Sequence, residues 1–194
     1  MPHEDGRPEY HLQPGESLLV TGPALLRTVL GSCVGIAFWA SRLGVAALCH
    51  PMLPWTPEGI SALARERGRR YVDFAIRELT GEFDRRGLSR AEITVKLFGG
   101  ADVLRMPGNS GRATVGRLNG EAAVRVLREE GYDVAASSLG GEVGVDIRFD
   151  TVTGAVFVRR LAPACVDAAL AIEDVVAVDN GMLKPGKVNR WSAC

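Results

Sequence analysis

Two apolar runs, "VGIAFWA" (34–40) and "GVAALCH" (44–50), meet at the polar corner Ser41-Arg42-Leu43-Gly44. Each run is short for a helix and is bounded by turn residues, so both read as core strands joined as a hairpin. That pairing constrains the rest of the chain, because it returns the start of the first run to the end of the second. Cys33 stands at the one end, behind Leu30-Gly31-Ser32, and His50 at the other, before Pro51-Met52-Leu53-Pro54. A thiol and an imidazole far apart in the chain are thereby brought to one edge of the structure.

The remaining segments indicate mixed α and β structure. "SLLVT" and "ALLRTVL" are strand-like runs separated by Gly22-Pro23. From Thr56 to Arg86 the apolar residues Tyr71, Phe74, Ala75, Leu79 and Phe83 recur at helical spacing, and Gly87 ends the segment. "EITVKLF" alternates as a half-buried strand does and runs into Gly99-Gly100-Ala101. A second helix is predicted at 115–130, with Gly131 as its terminator. "EVGVDIRF" and "AVFVRR", joined by "DTVTG", form a second hairpin. The stretch "CVDAALAIEDVVAV" reads equally as a helix or as a helix followed by a strand. The expected architecture is therefore one α/β domain of the α+β type, with layered mixed β-sheets flanked by two or three helices. Residues 1–16 are expected as a flexible N-terminal arm, 17–160 as the domain, and 161–194 as a C-terminal extension packed on it.

Composition excludes several functions. Lys plus Arg and Asp plus Glu number 23 each, so no overall field gathers nucleic acid or an acidic membrane surface. The four cysteines form no CxxC pair, and three histidines support no structural zinc cluster, so reduced thiols are expected and no metal is. No run of about twenty apolar residues offers a membrane span, and the N-terminal segment lacks the apolar core of a secretory signal. A cytoplasmic protein without direct membrane insertion is the expectation.

The chemistry then turns on Cys33 and His50. An isolated buried cysteine is ordinary core, and a lone histidine is commonly structural. Together they permit nucleophilic catalysis, in which a histidine within hydrogen-bond reach activates a thiol. The amides of a tight turn at Gly31 and Ser32 can stabilise an oxyanion. Cys49, in the same strand as His50 but pointing to the opposite face, Cys165 in an apolar segment, and the terminal Cys194 carry no such pattern. His3 and His11 belong to the polar arm.

The ordered blocks "TVLGSCVGIAFW", "GVAALCHPMLP", "GRRYVDFAIREL", "VKLFGGADVL", "VGRLN" and "LGGEVGVDIRFDTVTGAVFVRR" resemble the CheD family of chemoreceptor glutamine deamidases. The resemblance runs over roughly residues 17–160. It departs at Val145 and Asp146, where Arg-Lys is common, and at Leu118, where arginine is common.

The resemblance implies a fold related to the catalytic domain of the cytotoxic necrotizing factor toxins. It also implies a cysteine hydrolase that converts glutamines on the cytoplasmic helical bundle of methyl-accepting chemotaxis receptors to glutamates, without a cofactor. The nucleophile falls on Cys33 and the base on His50, with Thr28 as the hydroxyl that orients the imidazole. A CheC-type phosphatase is the implied regulator. Phe98, Gly99, Gly100, Ala101, Ser110, Gly140 and Gly141 are expected to line a shallow substrate groove. Receptor methylester hydrolysis on the same dyad and a non-catalytic receptor- or phosphatase-binding module are the alternatives.

Overall fold

A computed structural model describes residues 6–57, 65–103, 113–161, 175–179 and 182–185. In chain order the elements are β1 (Glu9–His11), β2 (Ser17–Thr21), β3 (Leu25–Leu30), β4 (Val34–Ala40), β5 (Val45–Cys49), α1 (Arg65–Gly68), α2 (Val72–Asp84), β6 (Thr94–Gly99), α3 (Val115–Glu129), β7 (Val134–Leu139), β8 (Val145–Asp150), β9 (Val156–Arg160), β10 (Val175–Asp179) and β11 (Met182–Pro185). They build two sheets, ordered β1-β3-β8-β9-β10-β11 and β2-β5-β4-β6-β7.

The layers follow from which faces are apolar. Leu26 and Leu30 of β3, Ala37, Leu48, Phe98, Ile147, Phe149 and Val156 fill the space between the two sheets. Ile36, Phe38, Ala47, Cys49, Val95 and Leu97 face the other way, onto Ile76, Leu79 and Phe83 of α2 and Ala122, Val126 and Leu127 of α3. The five-stranded sheet is thus the middle of three layers, covered on both faces, which is why β4 and β5 are almost continuously apolar. Phe38 anchors the helical side, with its ring 5.7 Å from that of Phe83 and 5.6 Å from that of Tyr132. Burying a side chain of that size contributes roughly 1.5–3 kcal/mol.

The two predicted hairpins form. β4 and β5 pair antiparallel through a single 3₁₀ turn at Ser41–Leu43 that Gly44 closes with φ +60°. β8 and β9 pair antiparallel as well. α3 starts at Thr114, whose hydroxyl accepts from Arg117 N, and ends before Gly131 at φ +82°.

Four features differ from the sequence reading. β6 is buried on both faces rather than one, and even Lys96 is enclosed, its Nζ donating to the Gly154 carbonyl at 2.9 Å. The long helix is interrupted: Tyr71 is extended and bridges Leu53, so α2 begins only at Val72. Residues 9–12 do not hang free, because β1 pairs parallel with β3 and Leu12 is buried. β7, an unexpected strand, lies parallel to β6 at the sheet's edge. In the tail, 175–179 and 182–185 extend the six-stranded sheet antiparallel from β9, whereas the rest of the apolar stretch from Cys165 lies outside the described residues. Among the described residues no helix is long and apolar enough to cross a membrane.

Candidate active site

The β4–β5 register places Ile36 opposite Cys49, and the Val34 N–H carries the ladder one step further by donating to the Pro51 carbonyl at 3.2 Å. Pro51 has no N–H to return, so regular pairing stops there. Continued one residue past Ile36 and Cys49, the register sets Gly35 opposite His50, and Cys33 diagonally across from it on the same face. Diagonal same-face neighbours in a ladder lie roughly 7–8 Å apart at Cα and closer at their side chains. Cys33 is half-buried against the inter-sheet cluster, and His50, 1% exposed, points into the same space.

His50 is held from three directions. Its N–H donates to the Glu16 carbonyl at 2.9 Å, and its carbonyl accepts from Gly15 N at 2.7 Å. Its Nδ1 lies 2.7 Å from the hydroxyl of Thr28, a buried residue on β3 in the opposite sheet. The single Thr28 hydroxyl proton goes to the Leu12 carbonyl, 2.8 Å away. Towards the imidazole, therefore, the hydroxyl can only accept, so Nδ1 carries the ring proton and Nε2 presents a lone pair. Nε2 is buried with no hydrogen-bond partner among the described residues.

Burial pulls His50 from its usual range down to about 4, while the Leu12 carbonyl and Glu16 pull the other way. Burial pushes the Cys33 thiol up, partly offset by a backbone hydrogen bond. At neutral pH the resting pair is accordingly a thiol beside a neutral imidazole. A bare Nε2 in this setting can take the proton of a nearby thiol as the sulfur attacks.

The turn before Cys33 has all three of its carbonyls engaged. Gly31 O accepts from Ala101 N at 2.8 Å, Ser32 O from Asn119 Nδ2 at 2.9 Å, and Cys33 O from Gly100 N at 2.7 Å. In a trans peptide the following N–H points opposite to the carbonyl. The Ser32 and Cys33 amides are thus turned away from the groups that hold those carbonyls. Gly99 and Gly100, at φ +92° and +65°, let the chain fold tightly beneath this turn, and a Cβ on Gly99 would meet Cys33 O at 2.4 Å.

The residues expected to line a groove separate. Gly100, Gly140 and Gly141 border a cleft of about 730 Å³ together with Gly116, Gly120 and Val124 of α3 and Leu139. That cleft adjoins the Cys33 turn through Gly100 and does not include Cys33 or His50 themselves. Gly99 and Ala101 are buried supports, with Gly99 O accepting from Gly140 N at 2.9 Å. Phe98 does not reach any rim: it is fully buried between the sheets, because both faces of β6 are covered. Ser110 lies outside the described residues. Asp146, one of the positions where the resemblance breaks, faces away from the site and is bound by Arg27, at 2.6 and 3.0 Å, and by Arg159, at 3.0 Å.

Two contributors escaped the sequence reading. Leu12 acts through its carbonyl, for which side-chain pattern holds no signal. Asn119 was legible only as the last residue of "VGRLN" and reaches Met52 O, at 2.9 Å, as well as Ser32 O.

A family model described as CheD chemotactic sensory transduction matches residues 52–160. The chain is 39% identical to "Probable chemoreceptor glutamine deamidase CheD 2" of Geobacter sulfurreducens over 79% of this chain and 91% of that protein. It is 37% identical to a protein of the same name from Albidiferax ferrireducens, over 81% and 90%. With a CheD of Oleidesulfovibrio alaskensis it shares 34% identity over 90% of this chain and 84% of that protein.

Proposed function

This chain belongs to the CheD family of chemotactic sensory transduction proteins, and from that membership we propose that it is a chemoreceptor glutamine deamidase working through Cys33 and His50. The observation that carries the mechanism is the Thr28 hydroxyl, spent on Leu12 O and accepting from His50 Nδ1, which leaves Nε2 bare on the face it shares with Cys33.

The glutamine side chain enters with its amide carbon against Cys33 Sγ. His50 Nε2 takes the thiol proton as sulfur adds to the carbon, and the Ser32 and Cys33 amides receive the developing oxyanion. The imidazolium, stabilised by the Thr28 oxygen, returns that proton to the amide nitrogen, which departs as ammonia and leaves a thioester. Water then loses a proton to Nε2 and attacks the thioester, expelling the sulfur, which regains its proton. Glutamine and water have become glutamate and ammonia, and the dyad is restored.

Chemoreceptors are the substrate class, and the cleft beside Gly100, Gly140 and Gly141 is the surface we assign to the receptor segment. A CheC-type phosphatase is the proposed regulatory partner, on the strength of the family resemblance. The deciding experiment is mass spectrometry of a receptor cytoplasmic fragment incubated with the protein. A gain of about one dalton at glutamine with release of ammonia is expected, and it disappears with Cys33→Ala and with His50→Ala. Methanol from a methylated fragment, or cellular function that survives Cys33→Ala, would replace this reading with ester hydrolysis or a binding module.

A further inference from the structure

We propose that Asn119 is a positioning residue for the Cys33–His50 pair, holding the two loops that carry them on a single amide of α3. The inference rests on the deamidase reading above and adds to it a group that touches neither the substrate nor the reacting atoms.

Asn119 is fully buried in the second turn of α3. Its Nδ2 donates both protons, one to Ser32 O and one to Met52 O, each at 2.9 Å. Ser32 is the residue before the thiol, and Met52 lies two past the imidazole. Both acceptors are carbonyls, so the amide cannot be flipped, and Oδ1 must face away; it is buried without a partner among the described residues. Packing alone would be served better by leucine, since an unsatisfied buried acceptor opposes folding. The side chain makes sense as a clamp.

The clamp has a specific geometric effect. Fixing Ser32 O sets the plane of the Ser32–Cys33 peptide, and with it the direction of the Cys33 N–H. Gly31 O and Cys33 O are held by the 100–101 segment, through Ala101 N and Gly100 N. Asn119 bonds the thiol's loop and the imidazole's loop at once. α3 is itself seated against the same segment, because a Cβ on Gly116 would lie 2.5 Å from Ala101 O and 2.6 Å from Gly100 O. Displacing a reacting group by about 1 Å can cost on the order of a hundredfold in rate.

The test compares Asn119→Ala and Asn119→Asp with Val126→Ala, which removes core packing from the same helix away from the site, all in a Cys165→Ser, Cys194→Ser background. Ammonia release from a receptor fragment gives kcat and KM. Iodoacetamide alkylation of Cys33 across pH reports on the thiol without substrate. Both Asn119 variants are expected to lose about 10- to 100-fold in kcat with KM within twofold, and to move the alkylation profile towards that of His50→Ala. Asn119→Asp keeps the side chain's shape and so separates donor loss from cavity formation. Combining Asn119→Ala with His50→Ala should add little further loss, since the two act through one arrangement. Val126→Ala should lower the unfolding temperature while keeping kcat within twofold. If the Asn119 variants merely lose unfolding temperature as Val126→Ala does, with kcat and alkylation unchanged, the clamp is refuted while the dyad stands. If His50→Ala itself changes neither readout, the dyad falls and the clamp with it.

Discussion

Thr28 on β3 and His50, the residue that follows β5 of the other sheet, meet across the interior at 2.7 Å, hydroxyl to Nδ1. Thr28 is held on β3 by antiparallel pairing with Ile147 of β8, and His50 by backbone bonds to Gly15 and Glu16. The contact is therefore set by how the sheets stack, and the tautomer of the imidazole is fixed by the neighbour of that neighbour, the Leu12 carbonyl.

Thr28→Val should remove both the oxygen that accepts from Nδ1–H and the donor to Leu12 O, at about 1–3 kcal/mol for each group left unsatisfied. Deamidation kcat should fall about 10- to 100-fold with little change in KM. Thr28→Ser, which keeps the oxygen, should recover most of both. Equal activity in Thr28→Val and wild type would show that the hydroxyl does not orient the base.

The pH dependence of stability follows from His50. Its folded pKa, about 4, is below its ordinary 6.5, so the native state binds fewer protons than the unfolded chain between those values. The stabilisation is complete above about 6.5 and is lost as pH falls through 4, amounting to about 3 kcal/mol. Urea unfolding at pH 7 and at pH 4.5 should show this decline in wild type and a flatter profile in His50→Gln. Identical slopes would mean that His50 titrates normally.

Alkylation should separate the described cysteines. Cys33 is half-buried at the site, whereas Cys49 is fully enclosed beneath α2, with burial driving its thiol far up. Iodoacetamide should label Cys33 in the native protein, with a rate still rising past the usual thiol range, and Cys49 only after unfolding. Labelling of Cys49 at a comparable rate would contradict the packing.

Gly99→Ala tests the support under the thiol. The new Cβ would lie 2.4 Å from Cys33 O, and φ +92° is strained for alanine. A loss of about 1–3 kcal/mol is expected, accompanied by loss of Cys33 reactivity because the turn must move. Substituting Gly22, where a Cβ meets nothing within 4 Å, is the matched control, since its φ of +90° carries the same strain without the collision.

Patterned segments were legible wherever burial and sequence period agreed. β4, β5, the β8–β9 hairpin and α3 fall where apolar runs or helical spacing put them, and Gly31 to Cys33 bend between β3 and β4. β7 was missed because "VAASSL" is a largely exposed edge strand whose alternation is weak. β1 was missed because three residues next to a proline carry almost no periodicity, although they pair in register with β3. Phe98 was misplaced for a tertiary reason: alternation shows that it lies opposite Leu97, but only the second sheet decides that this face is also interior. For the candidate site, Cys33 and His50 were legible as a pair through the hairpin between them, while Leu12 and Asn119 entered through contacts that no local pattern encodes.

Among the described residues β3 has only β1 and β8 beside it, so the strand that bears Thr28 stays without its antiparallel support until residues 145–150 have been synthesised. A chain still emerging from the ribosome would carry Cys33 and His50 long before the pairing that seats Thr28 beside the imidazole could form.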